Sequence, residues 1–188
     1  MTTAMRNVQT RITLPPSALP VIGAGRFDLR PLRPSDAGLL SFYAGDERVA
    51  KATRSVPHPL PPGSTEAFIE RCSSPNRPED VWAMDGSATG LSELLGVLTL
   101  RPLGGAQSEI SYWVGAAFWN AGYASDAVKA IVAANPRGDK SYFAAVFQDN
   151  PASARVLTQA GFDYLGDAEA YSLARDTMVR TWTYIRKL

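Results

Sequence analysis

Two short stretches of the sequence carry side chains and backbone that could act on a substrate. The first is DNPASARVLTQAGF, residues 149–162. Asn150 suits a helix N-cap, Pro151 the first helical position and Gly161 the C-terminal cap, which predicts a helix of about three turns between them. On that helix Ser153, Val156, Leu157 and Ala160 share one face. A hydroxyl in the first turn of a core-facing side either serves something bound beside it or fills a tight place and bonds locally. The second stretch is NAGYA, residues 120–124. Small residues let backbone amides approach a ligand, and a helix starting there offers unpaired N–H groups and a partial positive charge. A diphosphate can be held this way without a lysine. The same residues also make an ordinary turn, since Gly and Asn are turn residues for steric reasons. No Lys-Ser/Thr pair follows Gly122, which speaks against a P-loop for ATP or GTP.

The elements around these stretches must position them. SEISYWVG (108–115) alternates with period two, so Ile110, Tyr112 and Val114 face one way and Glu109, Ser111 and Trp113 the other. ASDAVKAIVAA continues from the turn as a helix, and KSYFAAVF reads as a buried strand before Asn150. Upstream, RFDLRPL reads as a strand. Ser35 then caps a helix with Asp36 in its first turn and Leu39, Leu40 and Tyr43 as its stripe. After the Pro-rich loop SVPHPLPPG, Ser64 caps a helix with Phe68, Ile69 and Cys72 along one side. VWAM and the longer ELLGVLTLRPL, with a glycine inside it, are strands, and the tail forms two more around a turn near Arg175 and Asp176. Residues 1–25 read as an extended or loosely packed arm, and residues 26–188 as one domain. Helices interleave with strands, yet several strands are consecutive, so the sheet is expected to be mixed rather than all parallel.

Composition narrows the classes of partner. Nineteen basic and eighteen acidic residues give a net charge of +1, which argues against a strongly basic nucleic-acid surface. Cys72 is the single cysteine, so no internal disulfide forms, and with no signal peptide visible a cytoplasmic location is expected. No apolar run approaches the roughly 20 residues that cross a bilayer. One histidine and one cysteine leave no metal-ligand spacing, and Cys72 is expected in the core.

A strand ending in YWVG, a Gly-containing turn and helix, another strand, and then N-P-A-S-x-R-V-L-x-x-A-G-F together resemble the Gcn5-related N-acetyltransferase (GNAT) superfamily. Within it, the pattern is similar to the RimJ/RimL-type ribosomal-protein N-terminal acetyltransferases. The resemblance runs from about Arg26 to the C-terminus and is strongest from Ser108 to Phe162; Arg30, Pro31 and Asp36 match the family's opening. The family's phosphate loop, Q/R-x-x-G-x-G/A, falls on Trp119, Asn120, Ala121, Gly122, Tyr123 and Ala124. Asn120 replaces a common glycine, Ala121 a common basic residue, and Asp126 a usual glutamate.

The resemblance implies a mixed α/β fold: a largely antiparallel sheet splayed between its central strands, with helices on both sides. It implies acetyl-CoA as acyl donor, no metal, and direct attack by a primary amine in a ternary complex. The acceptor would be a protein N-terminus, an aminoglycoside-like antibiotic or another small amine. By the same resemblance Glu109 takes the place of the proposed base, and Ser153 that of the group near the CoA sulfur. Many relatives have a tyrosine a few residues further along that helix, where this chain has Leu157 and Thr158. Asn150 would contact the cofactor or hold the loop, the backbone of Trp113 and Val114 would pair with pantetheine, and His58 would line the acceptor pocket. Each also has a plainer reading: a solvated carboxylate for Glu109, a cap for Asn150, aromatic packing for Trp113 and Trp119, an exposed polar residue for His58. An exposed edge or face could support a homodimer. The altered loop, with a helix that looks short, is also compatible with an acyl-CoA-binding sensor or partner module without catalysis.

Overall fold

The computed structural model describes residues 19–188. Of the arm expected over residues 1–25, the first eighteen positions lie outside the described residues, while its last part adds a strand to the sheet. The strands are β1 (Ile22–Gly23), β2 (Asp28–Pro31), β3 (Asp80–Asp85), β4 (Gly96–Gly104), β5 (Gln107–Val114), β6 (Ser141–Phe147), β7 (Asp163–Ser172) and β8 (Thr177–Lys187). They form one sheet in the order β1-β2-β3-β4-β5-β6-β8-β7. The β5–β6 pair is parallel and the other neighbours are antiparallel. The sheet is therefore mixed and largely antiparallel, as the order of elements in the chain predicts.

Helices cover both faces. Against one face lie α4 (Tyr123–Ala134) and α5 (Pro151–Gln159), around a core that includes Leu29, Trp82, Leu98, Ile110, Ile131 and Leu157. Against the other lie α1 (Ala37–Ala44) and α3 (Ser64–Ser73), around Leu32, Leu40, Ile69, Val81 and Val97. The alternation along β5 sorts as expected: Ile110, Tyr112 and Val114 pack toward the first core, Trp113 toward the second. Phe68 and Cys72 pack beside Ile69 on the inner side of α3.

The first helix differs at its start. A 3₁₀ turn over Pro34–Asp36 precedes α1, with Arg33 as its N-cap residue, and the Asp36 carboxylate reaches back to accept the Arg33 N–H at 2.7 Å. Ser35 does not cap the helix because it lies inside that turn, while Asp36 is held by the buried Arg30 guanidinium at 2.8 and 2.9 Å. A short helix α2 (Glu47–Lys51), capped by Asp46, occupies a stretch where the sequence offers too few turns for a periodic signal. In α3 the cap is Gly63, at φ +75°, and Ser64 is the first helical residue.

The two central strands part company early. β5 and β6 share register only at Gln107–Ser141, Ser108–Tyr142 and Glu109–Phe143. Beyond Glu109, β5 pairs with β4 alone, and beyond Phe143, β6 pairs with β8 alone. The centre of the sheet splays open.

Candidate active site

The loop between β5 and α4 builds one end of the site. Gly122 takes φ +84° as the N-cap of α4 and Asn120 takes φ +60°, with no side chain capping the helix. The Asp126 N–H bonds the Gly122 carbonyl at 3.0 Å, so the amides of Tyr123, Ala124 and Ser125 precede the first helical bond and have no acceptor within the helix. A cation stands beside them although NAGYA contains none. Arg26, from the turn before β2, donates to the Ala121 carbonyl at 2.8 Å and to the Asp126 carboxylate at 2.7 Å. Its guanidinium lies 4.5 Å from the centroid of the Tyr123 ring. Tyr123 is itself buried, edge-on to Phe27 and Phe118.

The free edge of β5 leads from this loop into the splay. The Gly115 N–H donates to the Leu95 carbonyl at 2.9 Å, which sets the alternation of the antiparallel pair. Trp113, opposite Val97, therefore turns its backbone toward β4, whereas Tyr112 and Val114 turn theirs toward the gap. The Val114 carbonyl already accepts from the Trp119 indole N–H at 2.8 Å. Of the two residues expected to offer backbone here, Val114 thus keeps its N–H, and Trp113 contributes a side chain instead.

A cleft of about 980 Å³ passes through the splay. It brings Glu109, Trp113, Asn150 and Ser153 together on its lining. Residues 119–124 and Val114 are not part of that lining; they lie at the end of β5 and the start of α4. His58 is exposed and also outside it, although Val56, Pro57 and Leu60 of the same loop line it.

On the α5 side, local structure presents Ser153. The Asn150 side chain accepts the Ser153 N–H at 3.2 Å, the helix cap that the sequence predicts. The Ser153 hydroxyl donates to the Tyr112 hydroxyl at 3.0 Å, and the phenol donates to the Ser153 carbonyl, also at 3.0 Å. Burial pushes the Tyr112 phenol well above its ordinary range, and the bond from Ser153 offsets this only in part, so Tyr112 stays protonated. Tyr112 is a site neighbour that the sequence alone hides, because period two explains it as core.

On the other face Glu109 is 8% exposed. Arg54 donates to one carboxylate oxygen and Arg101 to the other, the latter also through Nε at 3.2 Å. Arg101 comes from β4, where it lies opposite Glu109. Arg54 comes from the segment after α2, whose backbone is clipped by the C-terminal hairpin. The Leu173 N–H donates to the Arg54 carbonyl at 3.0 Å, and Arg175 donates to the Lys51 carbonyl at 2.8 Å. Neither arginine is visible as a site residue in the sequence, since each becomes one only through this convergence.

Cys72 is half-buried, and burial pushes its thiol up to about 11. Among the described residues no group of three or more His, Cys, Asp or Glu could hold a metal ion. No helix there is long and apolar enough to cross a membrane.

Comparison with known proteins agrees with this fold. Residues 26–163 match the family described as the Acetyltransferase (GNAT) domain. No curated protein matches the chain in sequence. Among solved structures, the chain is similar to the microcin C7 self-immunity acetyltransferase MccE, in complex with acetyl-CoA and AMP. The TM-score is 0.76 at 16% identity, over 93% of this chain and 98% of that one. It is similar to RimL, the ribosomal L7/L12 α-N-protein acetyltransferase in complex with coenzyme A, at TM-score 0.77 and 15% identity over 90% and 98% of the two chains. It is similar to Mycobacterium smegmatis RimJ, in complex with CoA-disulfide, at TM-score 0.73 and 20% identity over 90% and 85%. At these identities the structural likeness speaks for the fold.

Proposed function

Since the chain belongs to the GNAT acetyltransferase family, we propose that it transfers an acetyl group from acetyl-CoA to an amine, by direct attack within a complex of both substrates. The observation that carries this reading is the splay: pairing that stops at Glu109–Phe143 leaves β5 with an unpaired edge opening into a cleft. Three features fit the cofactor. The backbone of Tyr112 and the N–H of Val114, both turned toward the gap, can pair with the amides of pantetheine as a further strand would. The open amides of Tyr123, Ala124 and Ser125, with Arg26 beside them, suit a diphosphate. The cleft reaches Ser153 and Glu109 in one continuous space.

Bound acetyl-CoA would supply an activated acyl carbon and a thiolate leaving group. Ser153 is the hydroxyl that would meet the departing sulfur. Rotation of two O–H bonds reverses the Ser153–Tyr112 pair, so that Tyr112 donates to Ser153 and Ser153 donates into the cleft. Glu109 would take the proton that the amine sheds. The N–H of Val114, the amides that follow Gly122 and the guanidinium of Arg26 would hold the donor in place.

Thermal unfolding in the presence of acetyl-CoA, CoA, ATP or NAD tests the reading. A ligand at a hundred times its dissociation constant stabilises by about 2.7 kcal/mol, a rise of roughly 5–10 °C at this size. The expected result is a shift with acetyl-CoA and CoA only; no shift at millimolar acetyl-CoA would overturn the proposal. The pinning of Glu109 by two guanidinium groups supports a second reading, a module that binds acyl-CoA without catalysis. A shift with acetyl-CoA, but no thiol released across a broad amine panel, would select it.

A further inference from the structure

The acceptor side of the cleft holds an unbalanced cluster. Glu109 is nearly buried, and both of its oxygens are taken by guanidinium groups. Two positive charges therefore share one negative charge, and among the described residues neither Arg54 nor Arg101 pairs with another carboxylate. A guanidinium has five N–H donors. Arg54 spends one nitrogen on Glu109 and Arg101 spends two, while their side chains are 35% and 52% exposed. The donors left over belong to groups that line the cleft. Three other charged residues line it. Arg71 lies over the Phe68 ring, Glu79 stands close enough to the Cys72 thiol to act on it, and Glu169 is opposite Arg180 in the β7–β8 pair. Neither glutamate forms an ion pair with Arg54 or Arg101.

We infer that the acceptor is a small amine carrying a carboxylate or phosphate next to its amino group, as a free α-amino acid does. This rests on the acetyl-transfer reading above and gives it a substrate class. The anion would take the spare N–H donors of Arg54 and Arg101, a fork that matches carboxylate and phosphate oxygens. The adjoining ammonium would then lie against Glu109, loosened from its arginines by the competing anion. A zwitterion thus sets a negative charge against the guanidinium pair and a positive one against Glu109. An acceptor with several ammonium groups and no anion would set its charges against the guanidinium pair.

The experiment measures thiol release from acetyl-CoA by the intact protein. The acceptors are glutamate and serine, their amides and methyl esters, phosphoethanolamine, ethanolamine and spermidine. Acidic amines should exceed their neutral counterparts about ten- to a hundredfold in kcat/KM, the worth of one charge-assisted hydrogen bond. Comparing amino acids with phosphoethanolamine decides between carboxylate and phosphate. Arg101→Gln should flatten the preference and Arg101→Lys restore part of it, with the melting shift from acetyl-CoA intact in both. Equal or better use of the esters, ethanolamine or spermidine overturns the inference while the acetyl-transfer reading stands. A preference that survives Arg101→Gln also overturns it. An acetyl-CoA shift with no acidic amine acetylated overturns it too, and no shift at all removes the reading beneath it.

Discussion

Ser153 and Tyr112 exchange two hydrogen bonds across the floor of the cleft, one from each hydroxyl, so neither side chain can be altered without the other noticing. Tyr112→Phe keeps the ring and removes only the oxygen. We expect kcat to fall about a hundredfold, in the range of a lost proton donor, while acetyl-CoA still raises the melting temperature. The loss in stability should be about 1 kcal/mol. Ser153→Ala should do likewise, and the double variant should be little worse than the poorer single one, because the two act as a unit. Thiol-release kinetics on the three variants checks this; additive losses would break the pairing. The place of Ser153 on its helix was legible in the sequence because Asn150 and Gly161 bound that helix locally. Tyr112, Arg26 and the Arg54–Arg101 clamp were not. Their partners lie on other elements of the sheet, and single-chain periodicity carries no trace of such meetings.

The strands and the two long helices behind them were readable from alternation and capping; what could not be read was how far β5 and β6 stay together. The glycine that opens β4 shows the close fit beside that opening. Gly96 lies opposite Val114, and a Cβ there would come within 2.2 Å of the Trp113 carbonyl oxygen and 2.8 Å of the Val114 Cα. Both obstacles are backbone, so no rotamer change relieves them. Gly96→Ala should therefore destabilise the protein by about 1–3 kcal/mol, the usual range for forced overpacking. It should also weaken acetyl-CoA binding by displacing the edge at Val114. Urea unfolding and ligand-induced melting shifts test the two halves of this expectation; a variant of unchanged stability would mean that β4 and β5 part more easily than the close contact implies.

Across the whole molecule, the junction of α1 with the sheet depends on one buried ion cluster. Arg30 donates to Asp36 and, at 2.5 Å, to Asp85. Burial alone would raise the Asp85 carboxyl, but hydrogen bonds from Arg30 and Ser87 outweigh it and hold the group at about 2. An unfolded aspartate titrates near ~3.9, so the folded value is depressed. The stabilisation is complete above pH ~4 and is lost as pH falls from there toward 2. Denaturation monitored across that window should show the decline, and Arg30→Met should flatten it; an unchanged slope in the variant would assign the acid loss elsewhere. Strand order bears on how the molecule is completed. β8 is the last strand in the chain, yet it lies between β6 and β7. It completes the β6 wall of the cleft, and by pairing with β7 it fixes the turn that clips Arg54. During synthesis, neither wall nor clip can be finished before residue 177 onward has emerged. A copy broken off earlier would lack the β6 partner and the Arg54 clip together, so one missing strand would undo both sides of the cleft at once.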